Sequence, residues 1–182
     1  FEKKKYYSIR EDIDYILENC RGTGLVERAQ FTLAESHFRM KEWIEARGEY
    51  NTFILNFPSS PYAETAAYRK AVSSYNMSYN DMRDDSPTQT AQRDFEDFLS
   101  NYPETPLRDS ALYYMELLTE RLAEKEYQIA RLYWRMNEPL ASAIYLKSLI
   151  AQYPHTRRLY EAYLMIIDAY TRLEQFEQAE FY

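Results

Sequence analysis

The chain has one cysteine, Cys20, and three glycines, Gly22, Gly24 and Gly48, in 182 residues. A single cysteine excludes an intramolecular disulfide and a cysteine-based metal centre. So little glycine leaves no phosphate-cradling loop. With few β-branched runs, it also favours helix over strand. There are two histidines, His37 and His155, too far apart in sequence for any zinc spacing. No G-x-S-x-G elbow or kinase set occurs. No apolar run approaches the ~20 residues of a membrane-spanning helix. Bases are short as well: 22 Lys and Arg against 29 Asp and Glu give a net charge of −7, which argues against a nucleic-acid binder. No signal peptide is visible. The chain opens at Phe1 rather than Met, which reads as a trimmed or processed piece, so the lack of a visible targeting segment excludes nothing.

What is present is apolar and repetitive. Hydrophobic residues make up 46% of the chain, enough for a core, and polar residues are spread too evenly for long disorder. FPSSPYAETA (57–66) returns as YPETPLRDSA (102–111) and as YPHTRRLYEA (153–162). Around the prolines Pro58, Pro103 and Pro154 the register is constant. An aromatic (Phe57, Tyr102, Tyr153) precedes each one, Ser60, Thr105 or Thr156 stands two residues on, and Ala66, Ala111 or Ala162 eight on. Upstream lie Phe53, Phe98 or Leu149, then Tyr50, Phe95 or Leu146, then Ala46, Ala91 or Ser142. Steps of three and four place these on one helix face.

Each position has a mechanical role. The pre-proline aromatic is driven out of the α region and ends one helix. The Ser or Thr caps the next. Pro61 and Pro106 are expected at N1 of that helix, where a missing N–H costs nothing. The alanine lets two helices approach. A worn fourth copy centres on Arg21, with Thr23 as cap, Ala29 as the small residue and Ile16, Ile13 and Ile9 on the stripe. Cys20 fills its aromatic slot, which makes it a small buried hydrophobe rather than a reactive thiol.

From Arg21 to Pro58 is 37 residues, from Pro58 to Pro103 is 45, and from Pro103 to Pro154 is 51. A tetratricopeptide repeat has about 34 residues of helix–turn–helix. The second interval carries a polar insert around Asn76–Asp85, followed by Ser86, Pro87 and Gln89, read as a capping box with proline at N1. The third holds no Gly or Pro from Leu107 to Met136 and reads as one long helix, with a break near Lys125 as the alternative. Helices are expected near 6–20, 25–40, 43–57, 62–79, 88–102, 107–136, 140–153 and 157–173, with a short last one from 176. The fold class is therefore an all-α, tetratricopeptide-repeat-like solenoid of antiparallel helix pairs, about nine helices in all. Its organisation is one continuous array, N-terminal repeats over 1–106 and C-terminal repeats over 107–182, joined by the long helix. EQFEQAE looks like the opening of a further second helix, so either more residues or a partner is expected to cover that end.

Chemistry is sparse. His37 takes a packing position and His155 a solvated turn. Asp81, Asp84 and Asp85 lack the EF-hand glycine and read as a solvated loop. No catalytic, metal or cofactor-binding residue is expected. Aromatics are the surplus: nineteen Tyr, nine Phe and two Trp. Most belong to interhelix packing. Phe31, Glu35, Phe38 and Arg39 on one first helix, and Tyr62, Arg69, Tyr75 and Tyr79 on the next, fall on the inner row that lines a groove suited to an extended peptide. Arg131, Arg135, Lys147, Arg157 and Arg158 gather late and are candidates for docking an acidic partner.

The segment from Ser86 to Thr156 resembles the BamD family, the outer-membrane lipoproteins of the β-barrel assembly machinery. The F-x-x-F-x-x-x-YP-x-[ST] turn is carried by Phe95, Phe98, Tyr102, Pro103 and Thr105. The more specific long helix is carried by Leu118, Arg121, Leu122, Ala123, Glu126, Tyr127, Ile129, Ala130, Leu132 and Tyr133. FPSSPYAETAAYRKAVSSY is similar to an earlier stretch of the family, and the likeness covers about 25–173. Cys20 is not the family's lipid-carrying cysteine, since ILENC is no lipobox. The resemblance implies a non-enzymatic scaffold on the periplasmic face of the cell outer membrane, tethered through an upstream lipid anchor. It implies N-terminal repeats that receive unfolded outer-membrane protein segments. It implies C-terminal repeats that dock a periplasmic domain of the barrel-forming assembly subunit, with other assembly lipoproteins as further partners. A generic repeat adaptor or co-chaperone binding peptide tails is the alternative.

Overall fold

A computed structural model describes Ile13, Tyr15, Ile16 and Asn19, then residues 24–78 and 84–182. Among these residues the regular structure is entirely helical. The elements are α1 (Gly24–Arg39), α2 (Trp43–Asn56), α3 (Ala63–Met77), α4 (Ser86–Asn101), α5 (Arg108–Arg135), α6 (Pro139–Gln152), α7 (Leu159–Arg172) and α8 (Phe176–Phe181). They follow the expected helices to within about two residues at each end. The fold is a tetratricopeptide-like array of helix pairs, with sequence neighbours packed against each other. The expected helix 6–20, apart from the four residues named, lies outside the described residues, as do Cys20, Thr23, Tyr79 and Asp81. No helix among the described residues is long and apolar enough to cross a membrane.

The chain divides into two compact units, Phe1–Met115 and Glu116–Tyr182. Helix α5 is unbroken through Lys125, contributing its first turns to the former unit and the remainder to the latter. In unit 1, Ala34, Ala46, Tyr50, Phe53 and Ala66 form a closed core over which Phe31, Phe38, Ile54 and Phe57 pack. In unit 2 the core joins Tyr127 and Ala130 of α5 to Ala143, Leu146 and Leu149 of α6 and to Ala162, Ile166, Ala169 and Tyr170 of α7. The repeat stripe accounts for both. Phe53, Phe98 and Leu149, with Tyr50, Phe95 and Leu146 a turn away, are fully or almost fully buried.

Two kinds of turn repeat. After α2, α4 and α6 the pre-proline residues Phe57, Tyr102 and Tyr153 take φ/ψ of −132/59°, −129/67° and −127/60°. Their N–H groups still reach Phe53, Phe98 and Leu149 at 2.8–3.0 Å, so each serves as C-cap and the last helical residue lies two before proline. After α1, α5 and α7 the chain turns through Lys41, Asn137 and Glu174, at φ of 60°, 60° and 57°. Glu42, Glu138 and Gln175 then donate back to His37, Tyr133 and Tyr170, closing a Schellman turn each time. Glycine takes that left-handed conformation most cheaply, and this chain places Lys, Asn and Glu there at a cost of roughly 1 kcal/mol or more each.

The capping expectations need correction. Ser60, Thr105 and Thr156 accept an N–H two residues on, from Tyr62, Leu107 and Arg158 at 3.1, 3.1 and 3.3 Å. A turn closed by Ala63, Arg108 and Leu159 N–H donating to the same residues' carbonyls then precedes each helix. The α ladder therefore starts later than expected. Pro61 and Pro106 sit in that turn, not at N1, because their fixed φ suits it equally well. Nor does Ser86 form a capping box. Asp85 is the N-cap, Ser86 is already helical, and its N–H donates to the Asp84 carboxylate at 2.9 Å.

The hydroxyls have a second role. Ser60 donates to Glu27, Thr105 to Glu64 at 2.5 Å, and Thr156 to Glu120 at 3.1 Å. Each glutamate lies on the first helix of the repeat that the turn closes. A carboxylate-to-hydroxyl latch of this type contributes about 1.5 kcal/mol where partly buried.

Candidate functional site

In unit 1, α1 and α3 bring most of the predicted groove residues together. Phe31 stacks on Tyr62 at 4.8 Å between centroids and meets Phe53 edge-on at 5.4 Å. Phe38 sits edge-on to Trp43 at 5.4 Å and lies under the Arg69 guanidinium at 5.3 Å. Glu35 stands between these rings, paired with Arg69 and 3.9 Å from Arg39. Steps of four and three along α1 put Phe31, Glu35 and Phe38 on one face. Tyr75 lies at the far end of α3, 4.7 Å from the Tyr114 ring, and does not join this group. Tyr79 lies outside the described residues.

Sequence reasoning missed the residue that organises the row. Tyr50 packs at 6.2 Å from Phe31 and 6.1 Å from Phe38, and its hydroxyl donates to Glu35 at 2.6 Å. It occupies the apolar stripe of the repeat, yet it is a tyrosine, and a buried hydroxyl needs a partner. That was the available signal. Burial, reinforced by Glu35, pushes the Tyr50 hydroxyl far above its ordinary range, so it remains a donor. Burial alone would lower Arg69; its bond to Tyr50 and the Glu35 charge outweigh that and hold it up. The Glu35 carboxylate is therefore internally compensated. What the row offers outward is ring surface and the Arg39 side chain, 62% exposed.

A second network braces the unit. Asp94 on α4 accepts from Arg47 of α2 at 2.9 and 3.4 Å, from Ser74 of α3 at 2.5 Å, and pairs with Lys70 at 3.0 Å. Burial opposes its ionisation, but the bonds from Arg47, Ser74 and Lys70 prevail and hold the carboxyl below its usual range.

In unit 2 the late bases separate. Arg131 and Arg135 line a cleft of about 420 Å³ with Tyr127, Trp134, Glu161, Leu164, Met165 and Asp168. Arg158 borders it, its guanidinium 5.1 Å over Tyr127 and paired with Glu124 at 2.5 Å. Burial would raise Glu124; the Arg158 hydrogen bonds more than offset this and lower it. Lys147 lies elsewhere, 5.1 Å over Tyr170. Arg157 is exposed and gives its backbone N–H to Glu120 at 3.1 Å. Among the described residues no group of acids, cysteines and histidines is arranged to hold a metal.

Comparison with known proteins gives a consistent result. The chain is 28% identical over 181 residues to the outer membrane protein assembly factor BamD of Rickettsia prowazekii, covering all of this chain and 72% of that protein. It is 27% identical over 173 residues to BamD of Caulobacter vibrioides, covering 93% of this chain and 57% of that protein. With BamD of Haemophilus influenzae it shares 24% over 179 residues, 91% of this chain and 68% of the relative. The model of the YfiO family, described as outer membrane lipoprotein, matches residues 2–181. A match over nearly the whole length, on a chain with the repeat turns and long helix described above, means that this chain belongs to the YfiO family of outer membrane lipoproteins.

Proposed function

We propose that this chain is a non-enzymatic scaffold in the assembly of outer-membrane β-barrel proteins, working at the periplasmic face of the outer membrane. The observation that carries this reading is the match of residues 2–181 to the outer membrane lipoprotein family, together with relatives named as outer membrane protein assembly factors. In this reading the repeats of 1–106 receive client segments. The row of Phe31, Glu35, Phe38, Arg39, Tyr62 and Arg69 offers flat rings and cations without a free carboxylate, which suits an unfolded segment rich in aromatic side chains. The repeats of 107–182 dock the barrel-forming subunit, with Arg131, Arg135 and Arg158 nearest the cleft that would take it. The test is co-isolation: the full-length protein is affinity-purified with its anchor from detergent-solubilised envelopes. A barrel-forming assembly subunit is expected in stoichiometric yield. Recovery of the protein without any such subunit would overturn the proposal.

A further inference from the structure

The unit 2 cleft carries an imbalance of charge that identifies its occupant. Its acids are already engaged. Asp168 accepts the Trp134 indole N–H at 2.6 Å and pairs with Arg172 at 3.0 Å. Glu161 is 3.4 Å from Arg158, which also grips Glu124 through two nitrogens at 2.5 and 3.3 Å. Both aromatic walls are covered by those same cations, Arg172 at 4.3 Å over Trp134 and Arg158 at 5.1 Å over Tyr127. Arg131 and Arg135 differ: among the described residues neither makes an ion pair, and both are exposed on the rim. Arg131 acts on Glu124 only through its field. Between rim and opposite wall lies apolar surface, with Leu164 left 52% exposed.

We infer that this cleft binds an extended acidic segment of a partner protein, with carboxylates at alternate positions and an apolar side chain between them. The spacing supports it. Arg131 and Arg135 are one helical turn apart, about 6 Å at their Cβ atoms. Alternate residues of an extended chain are about 6.7 Å apart and point the same way. Two carboxylates therefore reach the two guanidiniums, and the intervening side chain points across to Leu164 and Met165. The inference rests on reading unit 2 as the docking half and names the chemistry that docks there.

The probe is a fluorescein-labelled peptide, Gly-Ser-Gly-Asp-Leu-Asp-Gly-Ser-Gly, titrated with the full chain and followed by anisotropy. Saturable binding is expected, weakening as salt is raised. Arg131→Gln with Arg135→Gln is expected to weaken it by roughly tenfold or more. Because both side chains are exposed, the melting temperature of the double variant is expected to match that of the parent, which separates lost binding from lost fold. Unchanged binding by the double variant, or equal binding of a control peptide in which both aspartates are replaced by asparagine, overturns the inference. So does sedimentation showing a dimer that the double variant dissolves, since a second copy would then fill the cleft. Failure here alongside successful co-isolation of a barrel-forming subunit removes the acidic-segment inference and leaves the scaffold reading intact.

Discussion

Asp94→Asn is expected to lower the unfolding free energy of unit 1 by about 3 kcal/mol, near the low end for breaking a buried ion pair. The carboxylate joins three helices, holding Arg47 of α2, Lys70 and Ser74 of α3 to α4. Removing its charge leaves two cations facing a neutral amide in a site that is nearly closed at Asp94. Arg47 keeps a third of its side chain in water, so it recovers some solvation and the loss stays at the lower bound. Denaturant unfolding followed by Trp43 emission, in a Trp134→Phe background, reads unit 1 alone. A loss under about 1 kcal/mol would place this network with ordinary surface pairs. The pH dependence follows from the same carboxyl. Its folded pKa is depressed, so its contribution is complete above the unfolded value of about 3.9 and disappears as pH falls through the lower folded value. The parent should lose stability steeply on that acid limb, and Asp94→Asn should flatten it.

Phe53→Ala is expected to cost about 3–5 kcal/mol, the usual range for deleting a fully buried ring. Phe53 is fully buried in one cluster with Ala34, Ala46, Tyr50 and Ala66, and its ring is 5.4 Å from those of both Phe31 and Phe57. The short alanine side chains of that cluster cannot fill the cavity. The same deletion removes the edge contact that holds Phe31 in the candidate row, so client binding should fall together with stability. Leu55→Ala on the same helix is the control. Leu55 is 73% exposed, and its loss should stay within about 0.5 kcal/mol. Equal effects at the two positions would mean that the repeat register is wrong.

The helices were legible because their causes are local. A pre-proline aromatic, a three–four stripe and a missing glycine act within a few residues, and α2, α4 and α6 end where those signals place them. The unbroken α5 follows from an absence of breakers over Leu107–Met136. Cap chemistry is only half local. Ser60 and Thr105 face both forward, to an N–H two residues on, and across, to Glu27 and Glu64, and the latter partners are 33 and 41 residues away in sequence. The Asp94 network was invisible for the same reason, since Arg47 and Asp94 are 47 residues apart and neither belongs to the repeat stripe. Periodicity shows which face of a helix is buried. It does not show which polar groups meet across three helices. Tyr50 is the intermediate case: its stripe position was clear, while the partner for its hydroxyl depended on α1 lying alongside. Among the late bases, sequence proximity grouped Lys147 with Arg131 and Arg135, yet helix rotation carries Lys147 to the Tyr170 side.

Site-specific photocrosslinking tests the scaffold account most directly. A photoreactive phenylalanine analogue replaces Arg39, on the rim of the unit 1 row, or Leu55, exposed on α2. The full-length lipid-anchored protein is irradiated in cells that are synthesising outer-membrane proteins. Adducts with unfolded outer-membrane β-barrel proteins are expected from position 39 and not from position 55. Adducts of equal yield from both positions, or none from position 39, would contradict it.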